Sequence, residues 1–151
     1  TIAHVERTLA SERLVHWSFD SRDPDAFRDA REEFMAELAK GKLSEAAAFN
    51  AELVFAELIG NVVRYAPKWV DVTLDWSGPA PVLHVLDAGP GFRHLPKLPD
   101  NPLSETGRGL FIVARLADDF HVTKRPHGGS HARVVLSAAA DGAGMILAAR
   151  A

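Results

Sequence analysis

Polar and apolar residues alternate along LVHWSFD, residues 14–20, with the period of two that predicts a half-buried strand. The pattern then changes period. Asp23-Pro24 reads as an N-cap followed by proline in a first helical turn, and Phe27, Ala30, Phe34 and Leu38 form a helical stripe that Gly41 ends. Ser44 is placed to cap a second helix running to about Tyr65 and stopping before Pro67. WVDVTLDW and PVLHVLD read as two strands joined by a Ser-Gly-Pro-Ala-Pro turn, and GLFIVARLADD reads as a third helix. FHVTKRP and HARVVLSA flank His127-Gly128-Gly129-Ser130, the signature of a hairpin turn. The segment from Ala88 to Thr106 is rich in Gly and Pro, without periodicity, and reads as a loop; TIAHVERTLAS reads as a short helix or the tail of a linker. This order predicts an α+β fold: a two-layer α/β sandwich with a mixed, mainly antiparallel sheet and its helices on one face. Residues 14–137 form the expected domain, preceded by a linker or short helix over 1–13 and followed by a tail over 138–151.

Within the second helix, LVFAELIGNVVRYAP, two residues break the apolar pattern. Glu57 and Asn61 stand four apart, on one helix face about a turn from each other. A solvated face is the ordinary reading of such a pair, but Phe55, Ala56, Leu58, Ile59, Val62 and Val63 leave little room for one. A carboxylate among apolar side chains is costly unless a cation or a proton-transfer role offsets the desolvation. Asn61 offers a neutral oxygen suited to Mg²⁺, and Glu57 is placed to orient a nucleophile or accept its proton.

Two further motifs follow. Asp87-Ala88-Gly89-Pro90-Gly91 leaves a strand; it reads either as a tight turn or as a carboxylate able to accept from an exocyclic amine such as adenine N6, with glycines that let backbone approach a base. Gly107-Arg108-Gly109-Leu110 opens the third helix; it reads either as a hinge or as a cradle of free N–H groups at a positive helix end, with Arg108 reaching phosphate oxygens. A metal ligand, a base reader, a lid and a phosphate cradle in this order point to one nucleotide site.

Composition narrows the reading without redirecting it. The chain has 151 residues, enough for one domain with a substantial core, and a net charge of −3, which gives no global field toward nucleic acid or anionic membrane. It has no cysteine, which removes disulfides, thiolate catalysis and thiol-based zinc sites. The seven histidines show no paired metal-ligand spacing. No apolar run approaches the roughly 20 residues of a membrane span and the start is not a signal peptide, so a cytoplasmic location is the default expectation. The chain opens on Thr rather than Met, as a processed start or an excised domain would. Trp17, Trp69 and Trp76 are expected in the core or on a sheet face, Asp118-Asp119 as an acidic pair at a helix end, and Arg93, His94 and Lys97 as solvated loop charges or as closures over phosphates.

The three motifs together resemble the Bergerat-type (GHKL) ATPase fold of gyrases and histidine kinases, over roughly Leu14 to Ser137. Glu57 and Asn61 match its N-box, Asp87 to Gly91 its G1 box and Gly107 to Gly109 its G2 box, while Gly129-Ser130 sits where a Gly-Thr often lies near the adenine. Small size and GRGLFIVARLADDF are similar to the anti-sigma-factor serine/threonine kinase group. The resemblance implies ATP and Mg²⁺ as ligands, Glu57 as catalytic base and Asn61 as metal ligand. It implies that Asp87, with Gly89 and Gly91, reads adenine, that Gly107, Arg108, Gly109 and Leu110 hold phosphates, and that Ser130 lies close by. Its implied partners are an anti-sigma-factor antagonist as phosphoacceptor, a sigma factor, and a second copy in a homodimer. Two positions depart from the group: Arg64-Tyr65 follow the N-box where a histidine is frequent, and Glu105-Thr106 stand where some members carry an arginine. A histidine-kinase catalytic domain is a rival, since AHVERTLA resembles a phosphoacceptor box around His4, but strand LVHWSFD starts too soon for the helical hairpin that box needs. The same motifs also suit a non-catalytic module in which ATP orders a lid, and the regulatory ATPase end of a larger sensor or phosphatase.

Overall fold

A computed structural model describes residues 4–7, 13–41, 43–65, 68–88 and 108–138. Among the described residues, six strands and three helices run β1 (His4–Arg7), β2 (Leu14–Asp20), α1 (Pro24–Lys40), α2 (Glu45–Tyr65), β3 (Trp69–Asp75), β4 (Val82–Asp87), α3 (Arg108–Leu116), β5 (Ala117–Lys124) and β6 (Ser130–Leu136). The strands form one sheet in the order β1-β2-β3-β4-β6-β5, and every pairing among them is antiparallel. The expected α+β sandwich is the fold found.

Local chemistry sets each boundary. Asp23 caps α1, its carboxylate accepting from the N–H groups of Asp25 (3.0 Å) and Ala26 (3.3 Å), with Pro24 next in line. Ser44 Oγ accepts from Ala47 N at 3.0 Å and caps α2. Gly41 ends α1 in extended backbone (φ −82°), so left-handed freedom is not its role there; a Cβ would strike the Trp76 ring. Gly128 and Gly129, at φ 101° and 86°, are the two residues that make the β5–β6 hairpin possible.

Three sequence expectations shift. His4–Arg7, read as a helix or linker tail, pairs with β2 as an edge strand. The third helix stops at Leu116, and Ala117, Asp118 and Asp119 belong to β5, so the acidic pair sits at the bulged start of a strand. The strand pattern wins there because Ala117 and Asp119 pair with β6, a contact that no local window contains. Trp69 lies on the sheet as expected, but 46% exposed; Trp17 is fully buried, with its indole N–H donated to Glu33 at 3.1 Å.

The core is the layer between sheet and helices. Val15, Trp17, Phe19, Val70, Val72, Leu74, Leu83, Val85, Ala132, Val134 and Leu136 alternate inward from the strands. Phe34 of α1 stacks on Phe55 of α2 with centroids 4.6 Å apart, and Trp17 meets Phe34 edge-on at 6.2 Å. Helix α2 is long and apolar enough to cross a membrane by composition, but Val54, Phe55, Leu58, Ile59 and Val62 are all spent on this core. It packs against α1, α3, β4 and β6, which makes it the element on which any site between helices and sheet must be built.

Candidate functional site

Two polar positions interrupt the inward-facing apolar rows of the central strands, and both lie at one end. Asp87 closes β4 with its side chain fully buried, and Ser130 opens β6, 1% exposed. The β4–β6 register, in which Leu86 faces His131, sets Asp87 opposite Ser130 one step further. Gly129 fixes this corner, since its left-handed backbone lays it directly against the Asp87 carbonyl, where a Cβ would collide. Arg125 holds the same carbonyl from the other side of the hairpin, Nη1 donating at 2.8 Å.

Helix α2, which packs on both β4 and β6, carries the other candidates. Asn61 is 4% exposed, and its Nδ2 has no hydrogen-bond partner among the described residues. Since exchange of the two amide ends puts an oxygen at the same place, the orphan position suits a donor or an acceptor ligand. Glu57, one turn earlier, is half-buried, and burial pushes its carboxyl above the ordinary glutamate range, with the charge of Arg64 pulling the other way. Gly109, in the first turn of α3, lies so close to the Glu57 carboxylate that a Cβ would strike it. The glycine at this position therefore has a stated reason: it lets the α3 backbone touch the base candidate. Leu110 anchors that turn in the core at 2% exposure.

Asn50 does not stand out in the sequence. It is 5% exposed, with Oδ1 unpartnered among the described residues, and seven residues before Glu57 it falls on the same face of α2. Extending the polar stripe two turns back would have found it. Arg125 carries no local signal; only the hairpin brings it to Asp87. Arg108 begins α3, and the roles expected of Gly89, Gly91, Gly107, Arg93, His94, Lys97, Glu105 and Thr106 fall on positions outside the described residues.

The donors fit the group the resemblance implies. Glu57 and Asn61 supply hard oxygens, and among the described residues no cluster of three or more His, Cys, Asp or Glu could cage a metal by itself. A cation held by one or two side chains and completed by phosphates and water is how Mg²⁺ is ordinarily bound.

A helix-lined antiparallel sandwich, with a buried carboxylate at the end of β4 and a carboxylate–carboxamide helix packed on that strand, defines an ATPase-type domain of the Bergerat class. The sequence profile of the histidine kinase-like ATPase domain matches residues 21–136, and the chain belongs to that family. No curated protein matches the chain.

Proposed function

We propose that the chain is an ATP- and Mg²⁺-dependent serine/threonine protein kinase of an anti-sigma-factor switch. It phosphorylates a small anti-sigma-factor antagonist, binds a sigma factor, and works as a cytoplasmic homodimer. The observation that carries the reading is the half-buried Glu57 carboxyl, its proton affinity raised by burial, set against the first turn of α3 on the same helix face as Asn61.

Asp87 accepts from the adenine amine, and the α3 N-terminus holds phosphate through its free N–H groups. Asn61 would hold Mg²⁺, which would supply neutralisation of the phosphate charge. The acceptor hydroxyl attacks the γ-phosphorus, the bond to the β–γ bridging oxygen breaks, and ADP leaves. The hydroxyl proton passes to Glu57, whose raised proton affinity makes it a better base than an ordinary glutamate.

Calorimetry with ATP and transfer of the γ-phosphate to a purified antagonist test the assignment together. Wild type is expected to bind in the micromolar range, about −8 kcal/mol. Asp87→Asn loses that binding, Asn61→Ala loses its Mg²⁺ dependence, and Glu57→Gln keeps the affinity while losing transfer. Transfer that survives Glu57→Gln removes the base assignment. Binding without transfer in wild type makes the chain a partner-sequestering module.

A further inference from the structure

Helix α2 has a second worked face. Gly60 and Val63 point about 60° and 120° around the helix from Glu57, on the side away from Asn61. There they border a groove of about 650 Å³ between α2 and the start of α1, floored by Phe27 and lined by Arg22, Arg28, Arg31 and Arg64. None of Glu57, Asn61, Asp87, Ser130 and Gly109 lines it, so it is a different surface from the site above.

Three features of this groove are independent of one another. First, the charges that line it have one sign: four guanidiniums, and no carboxylate among the described residues. Three of them pair with carboxylates that do not line the groove, Asp20 holding Arg22 at 2.7 Å, Glu52 holding Arg31 at 2.6 Å, and Asp25 and Asp29 each 3.4 Å from Arg28. Each guanidinium has five donors, so the acids orient the forks without using them up. Second, Val63 is 41% exposed, a large apolar side chain left in water at the groove edge. Third, Gly60 lies mid-helix, where glycine costs roughly 0.5–1 kcal/mol against alanine. A Cβ there would meet nothing within 4 Å among the described residues, so no close contact among them explains it. A missing side chain is what lets another helix approach α2 closely.

We propose that this groove is a docking site for an amphipathic, acidic helix of a partner protein. The helix lays its apolar ridge over Gly60, Val63 and Phe27 and sets carboxylates on Arg22, Arg28 and Arg31. The apolar floor selects against a nucleic-acid backbone, which offers phosphates and no apolar ridge, and the net charge of −3 gives no field to draw one in. The volume accommodates a few large apolar side chains, the usual number of anchors when a helix lies in a groove. The proposal holds whether or not Glu57 is a catalytic base.

Fluorescence anisotropy tests it with a fluorescein-labelled synthetic helix of roughly 18 residues, leucines at i, i+3, i+4 and i+7 and glutamates on both flanks. A matched helix carries lysines in place of the glutamates. The acidic helix is expected to bind, and the lysine helix is not. Gly60→Leu fills the groove, and Arg28→Glu with Arg31→Glu reverses its charge; each is expected to weaken binding by about ten-fold or more. Urea unfolding of both variants checks that they fold, a readout that does not involve nucleotide. No binding of the acidic helix, equal binding of the lysine helix, affinity unchanged in folded Gly60→Leu, or displacement by single-stranded DNA would each overturn the proposal.

Discussion

The two faces of the sheet treat polar residues in opposite ways. On the open face they are many and mutually satisfied. His16 lies 2.9 Å from Thr73 through Nδ1 and 2.9 Å from Ser18 through Nε2, Ser18 donates to Asp71, and the rings of His84 and His131 share a hydrogen bond of 2.8 Å. On the helix-covered side Asp87 and Ser130 interrupt the apolar rows of the strands at one end, and in helix α2 the buried Asn50 Oδ1 and Asn61 Nδ2 have no partners among the described residues. A partly wet surface tolerates polar groups that close on one another. A dry one keeps an open valence only where something else completes it. The contrast makes Asn61, on the face of α2 that also carries Glu57, a candidate ligand position on grounds independent of any motif.

The largest blow to that end comes from Gly129→Ala. The substitution places a Cβ against the Asp87 carbonyl and forces φ 86° on a residue that resists it. A cost of about 3 kcal/mol is expected, strain and displacement combined. Urea unfolding measures it, and Gly128→Ala, at φ 101° but with nothing within 4 Å among the described residues, serves as the control that carries the strain alone. Equal losses in the two variants would mean that the hairpin does not brace Asp87.

Next in size is a paired substitution that asks whether the faces differ as described. Asn61→Leu removes a buried amide with an unmet donor, so the nucleotide-free protein is expected to be unchanged or stabilised by about 1 kcal/mol. Thr73→Val removes a satisfied partner and leaves His16 Nδ1 without it, at an expected loss of about 1 kcal/mol. Chemical denaturation reads both. Destabilisation by Asn61→Leu larger than by Thr73→Val would show that Asn61 is structural.

The same contrast explains what is legible in the sequence. Glu57, Asn61 and Asp87 stand out because each breaks an apolar run, and a break in a period is a local signal. Helices α1 and α2 and strands β2, β3, β4 and β6 are legible for the same reason. Ala117–Asp119 mislead because the apolar helix period runs into them, whereas their pairing with β6 is distant in sequence. The histidine pair is invisible for a related reason. His84 and His131 are 47 residues apart, each in the ordinary polar slot of an alternating strand, and only the β4–β6 register makes them neighbours.

That pair sharpens the contrast through pH. Burial first, and nearby positive charge second, lowers the proton affinity of both imidazoles below the ordinary 6.5. The unfolded chain therefore binds protons more tightly than the folded one at these positions. Their contribution to stability is present above pH 6.5 and is lost as pH falls below it through the depressed folded values. Thermal melts at about pH 7.5 and 5.5 should show a lower Tm in acid, and His131→Gln should flatten that difference. An identical pH slope in the variant would place the acid sensitivity elsewhere.

The smallest expected effect is the most discriminating for helix α2. Gly60→Ala adds a methyl that meets no atom within 4 Å among the described residues and removes backbone freedom from the unfolded chain. On propensity alone it should stabilise the protein by roughly 0.5–1 kcal/mol, a shift in urea midpoint with unchanged m-value. Glycine is then kept at a cost to the isolated chain, which is what a surface reserved for a close-packed partner requires. A loss of stability instead would mean that a segment of this same chain already lies over Gly60. The groove would then be an internal contact, and the two faces of α2 would both be answered within the protein.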